Sequence, residues 1–185
     1  MQRLVDGRND ALDALMERHA TKLFGFLCRM LDNEEDASDL AQETFARVYL
    51  HRKSFDPRQS FSAWMYTIAA NLARNHYRWR SRHPAVSLDA PLKDNDLPGE
   101  QGLRDLLPSS GAAPDQEALE QERALAVRNA VQNLPEEMRE AILLCEWEDL
   151  SMAEAARILK TTVKAVESRL YRARKLLKAS LCRWI

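Results

Sequence analysis

At 185 residues the chain has length for one domain or two small ones, and 27 Lys or Arg against 28 Asp or Glu leave a net charge of −1. That balance by itself argues against a nucleic-acid binder, but acidic and basic blocks alternate along the chain. The odd, widely spaced Cys28, Cys145 and Cys182, with no C-x-x-C pair, exclude a disulfide framework and a zinc site. No apolar run is long enough to cross a bilayer and no signal peptide is present, so a soluble protein in a reducing, cytoplasmic setting is expected, without cofactor or metal. Alternating strand patterns are scarce and the fold class is read as all-α.

Residues 8–31 carry a wide apolar stripe (Leu12, Leu15, Met16, Leu23, Phe26, Leu27, Met30) that predicts one amphipathic helix or two, with His19 packed or at the surface rather than a ligand. Residues 32–54 open on Asp32, Glu34, Glu35, Asp36 and Asp39, with Asn33 placed to cap and carboxylates placed to suit the helix dipole. Ala37, Leu40, Ala41, Thr44, Phe45, Val48 and Tyr49 form the apolar side, leaving Asp36, Asp39, Gln42, Glu43 and Arg47 outward as a solvated face or a docking face for a basic partner. Residues 55–60 read as a loop, and 61–83 change character: no acid, Arg74, Arg78, Arg80 and Arg82, and Trp64, Tyr66, Tyr77 and Trp79. Rings interleaved with arginines suit single-stranded nucleic acid, with Trp64 and Tyr66 alternatively core, and Asn71 and Asn75, one turn apart, suit base edges.

Residues 84–115 hold five of the seven prolines, three of the five glycines and a majority of acids among their charges, a composition that reads as an extended linker between two helical domains, 1–83 and 116–185. Leu119, Leu125, Val127, Ala130, Val131 and Leu134 predict a helix ending near Pro135, which starts the next, with Met138, Ala141, Ile142, Leu144, Cys145 and Leu150 as its core. Ser151 and Glu154 then form a capping box, Ala153, Ala156 and Leu159 a first short helix, and Thr161 or Thr162 the cap of a second with Val163, Val166, Leu170, Ala173 and Leu177 inward. This is the helix-turn-helix plan, whose second helix enters the DNA major groove. From Arg157 to Arg183 nine Lys or Arg face one acid, Glu167, the local footprint of a phosphate-binding surface.

Three stretches in this order resemble the bacterial sigma-70 family, in its small two-domain extracytoplasmic-function group. EDASDLAQETFARVY is similar to the segment that docks on the clamp helices of core RNA polymerase, FSAWMYTIAANLARNHYRWR to the segment for the −10 promoter element, and the stretch from LPEEMREAILL to YRARKLL to the −35-binding domain. The resemblance implies polymerase contacts from Asp36, Asp39, Leu40, Gln42, Glu43 and Phe45. It implies −10 strand contacts from Asn71, Arg74, Asn75, Tyr77, Arg78 and Arg80. For the −35 major groove it implies Lys164, Glu167, Ser168, Tyr171 and Arg172, with Arg169, Arg174 and Lys175 nearer phosphates. It further implies core polymerase (clamp and flap regions of the large subunits) and promoter DNA as partners, an anti-sigma factor as inhibitor, no membrane insertion and no catalytic residues. Two positions depart from the family pattern: Lys160 stands where a turn glycine is usual, and Glu167 where a basic residue is common and where a carboxylate suits a cytosine amino group.

Two other classes have distinct expectations. A self-sufficient helix-turn-helix regulator would bind an operator tightly without polymerase. A nuclease would need the acidic cluster to converge on a metal, and the sequence shows no second cluster to meet it.

Overall fold

The computed structural model describes residues 1–8, 10–83 and 114–184, so the expected linker lies outside the described residues except for Pro114 and Asp115, which already begin a helix. The described residues form helices and no strand: α1 (Gln2–Val5), α2 (Asp10–Leu31), α3 (Glu34–Leu50), a 3-10 turn (Arg52–Ser54), α4 (Phe61–Arg82), α5 (Pro114–Gln132), α6 (Glu136–Ile142), a π turn (Leu143–Trp147), α7 (Met152–Ile158) and α8 (Val163–Ser180). The stripe over 8–31 becomes the single long helix α2, and His19 lies edge-on to Phe61 at 5.0 Å.

Side-chain caps set several helix boundaries. Asn33 Oδ1 accepts from the Asp36 N–H at 2.9 Å, and Ser60 Oγ from the Ala63 N–H at 3.2 Å. Ser151 and Glu154 make both halves of the capping box, and Thr162, rather than Thr161, caps α8 by accepting from the Ala165 N–H at 3.1 Å. Each such cap contributes about 1 kcal/mol.

α2, α3 and α4 enclose Leu23, Phe26, Leu27, Ala37, Phe45, Val48, Met65 and Ala69, and Leu4 of α1 plugs the same core with no exposed surface. α6, α7 and α8 enclose Ile142, Leu143, Leu144, Ile158, Val166, Leu170 and Ala173. Burying a Leu, Val, Ile, Met or Phe side chain stabilises by roughly 1.5–3 kcal/mol, so each set holds its helices together. The two sets are continuous: α4 packs on α7, and α2 on α5 and the π turn.

Four expected core positions are at the surface. Leu119 and Leu125 are exposed because every residue from Leu119 to Leu125 is, the buried face of α5 beginning only at Ala130. Val163 precedes the first inward turn of α8 and Ala153 lies on the outer side of α7, whose core residues are Ala155, Ala156 and Ile158. Lys160, in the turn between α7 and α8, has φ 51°, the left-handed region that disfavours a side chain. Lys160→Gly removes that strain and adds unfolded-state freedom, so a net stabilisation of about 0.5–1 kcal/mol is expected, read as a higher urea midpoint at unchanged slope.

Candidate nucleic-acid interface

The outer face of α8 carries Lys164, Glu167, Ser168, Tyr171, Arg172 and Lys175, all exposed, Tyr171 at 69%. The inward Val166, Leu170 and Ala173 fix this face relative to α6 and α7, so the five candidate readers and Lys175, a candidate phosphate contact, share one surface. Arg169 and Arg174 are already engaged: Arg169 Nη2 lies 2.8 Å from Glu137 Oε2, and Arg174 pairs with Glu146. Phosphate contact from either requires exchanging that carboxylate.

On α4 the rings divide. Tyr66 is buried, edge-on to Phe26 at 5.2 Å, and Trp64 is half-buried beside Phe55. Tyr77 and Trp79 are 50% and 58% exposed. At about 100° per residue, Asn71, Asn75, Arg78 and Arg82 form one strip, Trp79 flanks it, and Arg74 borders it on the side toward the second helical set. Arg80 points the other way, its Nη1 3.2 Å from Asp36 Oδ2, and His76 Nε2 is 3.4 Å from Asp36 Oδ1. Thus Asp36, expected on a polymerase face, and Arg80, expected on a DNA face, pair with each other across α3 and α4. Phe45, expected at the polymerase surface, is 4% exposed and turned into the core between the helices. Of the residues expected to dock, Asp39, Gln42 and Glu43 face outward with half-buried Leu40; Glu43 Oε1 accepts from Arg47 at 2.7 Å.

The sequence reading did not anticipate polar contacts between the two helical sets. Arg74 Nη2 donates to the Ile158 carbonyl at 3.2 Å, and its Nε lies 3.3 Å from Glu140 Oε1. The Tyr66 hydroxyl donates to Glu148, whose Oε1 is 3.9 Å from Arg29 Nη2. Ser60 donates to Glu154 at 2.8 Å, Gln132 to the Arg29 carbonyl at 2.9 Å, and Arg139 to the Met30 carbonyl at 3.1 Å. The π turn contributes directly: the Glu148 N–H donates to the Leu143 carbonyl five residues back, and the wide turn brings Glu148 inward. An open apolar cleft of about 740 Å³ lies between α2 and α5, with Phe24, Val127 and Trp147 in its wall.

Glu140 and Glu148 are the two buried carboxylates of this contact. Burial pushes the Glu140 carboxyl up to about 7, against the attraction of Arg74 and Arg169 and with Glu136 and Glu137 adding to it. Burial likewise raises Glu148 above the usual carboxylate range, opposed by the Tyr66 hydroxyl, Arg29 and Lys22. A raised folded-state carboxyl binds a proton that the unfolded chain has released, so stability falls as pH rises from about 4.5 to about 7. Glu140→Gln removes this loss. At pH 7.5 the variant is expected to exceed the wild type by on the order of 2–3 kcal/mol, and the gap in thermal midpoint closes toward pH 5. A pH-independent gap would refute the assignment. The signal for Glu140 was present in the sequence, since it stands four residues before Leu144 on the core side of α6; nothing local marked Arg139 or Arg29.

No helix among the described residues is long and apolar enough to cross a membrane, and no group of three His, Cys, Asp or Glu there is arranged to hold a metal.

A helix-turn-helix with a basic outer face and a second helical unit with an acidic face and an arginine-aromatic end make the plan of a two-part helical DNA-binding protein. Residues 15–83 match the family model for sigma-70 region 2 and residues 124–177 that for sigma-70 region 4. The chain is 32% identical to the RNA polymerase sigma-H factor of Pseudomonas aeruginosa, over 98% of this chain and 91% of that protein. It is 31% identical to the ECF RNA polymerase sigma factor SigW of Bacillus subtilis, over 98% of this chain and 94% of that one. Among solved structures, CnrH in complex with the cytosolic domain of CnrY superposes with a TM-score of 0.69 at 27% identity, covering 100% of this chain and 96% of CnrH. The chain belongs to the sigma-70 family of RNA polymerase sigma factors, in its extracytoplasmic-function group.

Proposed function

We propose that this chain is a promoter-specificity subunit: it binds core RNA polymerase and directs initiation at promoters by recognising a −10 and a −35 element. The observation that carries the reading is the pairing, in one chain, of the exposed Lys164–Lys175 face of α8 with the Asn75, Arg78 and Trp79 end of α4, in a sequence that matches both family regions. Residues 1–83 act as the region 2 unit, 84–115 as a linker and 116–185 as the region 4 unit. Asp39, Gln42 and Glu43 dock on the polymerase clamp. Asn71, Arg74, Asn75, Tyr77 and Arg78 hold the −10 strand, where a base leaves the stack at a cost of a few kcal/mol that ring stacking and hydrogen bonds offset. Lys164, Glu167, Ser168, Tyr171 and Arg172 read the −35 groove. Each contact alone is weak; polymerase fixes their separation and makes the second effectively intramolecular. No step of this work needs a catalytic group on the chain. The site of action is the cytoplasm, with the polymerase.

An inhibitory protein partner belongs to the same reading. CnrH was solved with the cytosolic domain of CnrY bound, and a full-length likeness to it supports an anti-sigma factor for this chain.

The test mixes the purified chain with core polymerase and fragmented host DNA and sequences the RNA 5′ ends. Discrete starts that require the chain and share two upstream elements are expected. No polymerase binding and no new starts from folded protein would leave only a helix-turn-helix DNA binder.

A further inference from the structure

We infer that Glu167 fixes one base pair of the −35 element as C·G: its carboxylate accepts from the 4-amino group of a cytosine in the major groove. The assignment deepens, and rests on, the reading of α8 as the −35 helix.

Glu167 is the sole acid of α8, whose other charged side chains are Lys164, Arg169, Arg172, Arg174, Lys175 and Lys178. It stands early in the helix, in the turn after the one capped by Thr162, and is exposed. In a helix-turn-helix the N-terminal residues of this helix contact base edges. Lys164 lies one turn before Glu167 and Tyr171 one turn after, both exposed. At about 100° per residue all three fall within about 60° of one another.

The simplest alternative is a solvated charge with no partner. The distribution of ion pairs argues against it. Arg169 and Arg174, further along the same helix, are held by Glu137 and Glu146. Among the described residues no ion pair or side-chain hydrogen bond engages Glu167. On the −35 reading it therefore enters a phosphate-lined groove without a cation of its own, where a carboxylate loses hydration and meets like charge. A hydrogen-bond donor on a base edge offsets that loss. The major-groove edge offers two such donors, cytosine N4 and adenine N6; guanine presents N7 and O6, and thymine O4, all acceptors. Adenine N6 sits beside the N7 acceptor, which repels a side chain that has acceptors alone. Cytosine is the base left. The carboxylate thus discriminates more than it adds affinity, because each wrong base leaves it unpaired.

The test reconstitutes holoenzyme with the full chain, or with its Glu167→Ala or Glu167→Gln variant, and selects from promoter duplexes randomised over the −35 element. Both substitutions remove the same charge from an exposed position, and Ala and Gln are both good helix formers, so a difference between the variants reports hydrogen bonding rather than charge or folding. The wild-type chain is expected to enrich cytosine at one position roughly tenfold over each other base. Glu167→Ala is expected to flatten that position alone, and Glu167→Gln to move it toward adenine, whose N6 and N7 suit an amide. N4-methylcytosine at that position keeps the base pair but blocks the groove-side N–H. A duplex carrying it is expected to bind wild-type holoenzyme roughly tenfold more weakly, and the Glu167→Ala holoenzyme unchanged. A position that stays cytosine in Glu167→Ala, or no position fixed as cytosine in the wild type, overturns the assignment. Equal binding of methylated and unmethylated duplex by the wild type does the same. If none of the three proteins enriches any sequence, the −35 reading itself has failed and the assignment falls with it, an outcome distinct from a change confined to one position.

Discussion

Replacing Asp39 and Glu43 with lysine abolishes capture by core RNA polymerase, with affinity expected to fall at least about a hundredfold. The two carboxylates lie one turn apart on the outward face of α3, Asp39 exposed and Glu43 half-exposed beside Arg47. Truncating one side of a buried interfacial charge pair costs about 2–5 kcal/mol, and a reversal adds repulsion to that loss. Tenfold corresponds to about 1.4 kcal/mol, so two reversals exceed a hundredfold even at the low end. The folded chain loses much less: the Glu43–Arg47 pair is an exposed i,i+4 contact of a few tenths of a kcal/mol. Fluorescence anisotropy with labelled chain measures the affinity, and wild-type binding should weaken with added salt as exposed charges are screened. Binding retained by a folded double variant would remove α3 from the polymerase interface. Asp36 is the informative neighbour. It shares the helix but is held by His76 and Arg80, so Asp36→Lys should show first as a destabilised α3–α4 contact.

Much of this was legible in the sequence because it is local. The caps at Asn33 and Ser151 are read from a residue and its neighbour three positions on, and both close as expected, while Thr162 is the one of two adjacent threonines that caps α8. The outer face of α8 follows from helical periodicity once Val166, Leu170 and Ala173 are inward. What stayed hidden is long-range. Asp36 looked like a surface carboxylate, and only the crossing of α3 with α4 supplies Arg80, 44 residues away. Tyr66 looked like either a stacking ring or core, and the choice depends on Phe26 and on Glu148, 82 residues distant. Leu119 and Leu125 fit a helical stripe, but a stripe states which side is apolar, not whether another element covers it. The π turn was unreadable for a similar reason: its five residues fit an α-helix locally, and the Glu148 that follows it meets partners on α2 and α4.

Trp79→Ala and Arg78→Ala cripple open-complex formation, whereas Arg80→Ala does not, although the sequence places all three in one basic, aromatic segment. Helical phase separates them. Arg78 lies on the strip with Asn71, Asn75 and Arg82, Trp79 is about 40° from Asn75, and Arg80 is on the opposite side, paired with Asp36. A base stacked on an aromatic side chain contributes about 1–3 kcal/mol, so Trp79→Ala alone is expected to lower −10 strand engagement roughly 10- to 100-fold. Removing Arg78 as well takes away a phosphate contact and deepens the defect beyond about a hundredfold. Trp79 is 58% exposed and stacks on His83 at the end of α4, so the substitution leaves the core untouched. Arg80→Ala loses an exposed ion pair, worth at most about 1 kcal/mol of stability. The measurement is permanganate footprinting of the melted −10 region by reconstituted holoenzyme, with −35 duplex binding in parallel as the control for α8. Equal defects from Arg80→Ala and Trp79→Ala would mean that the strand does not follow the Asn71–Asn75–Arg78–Arg82 strip, and the −10 surface would have to be redrawn around the other side of α4.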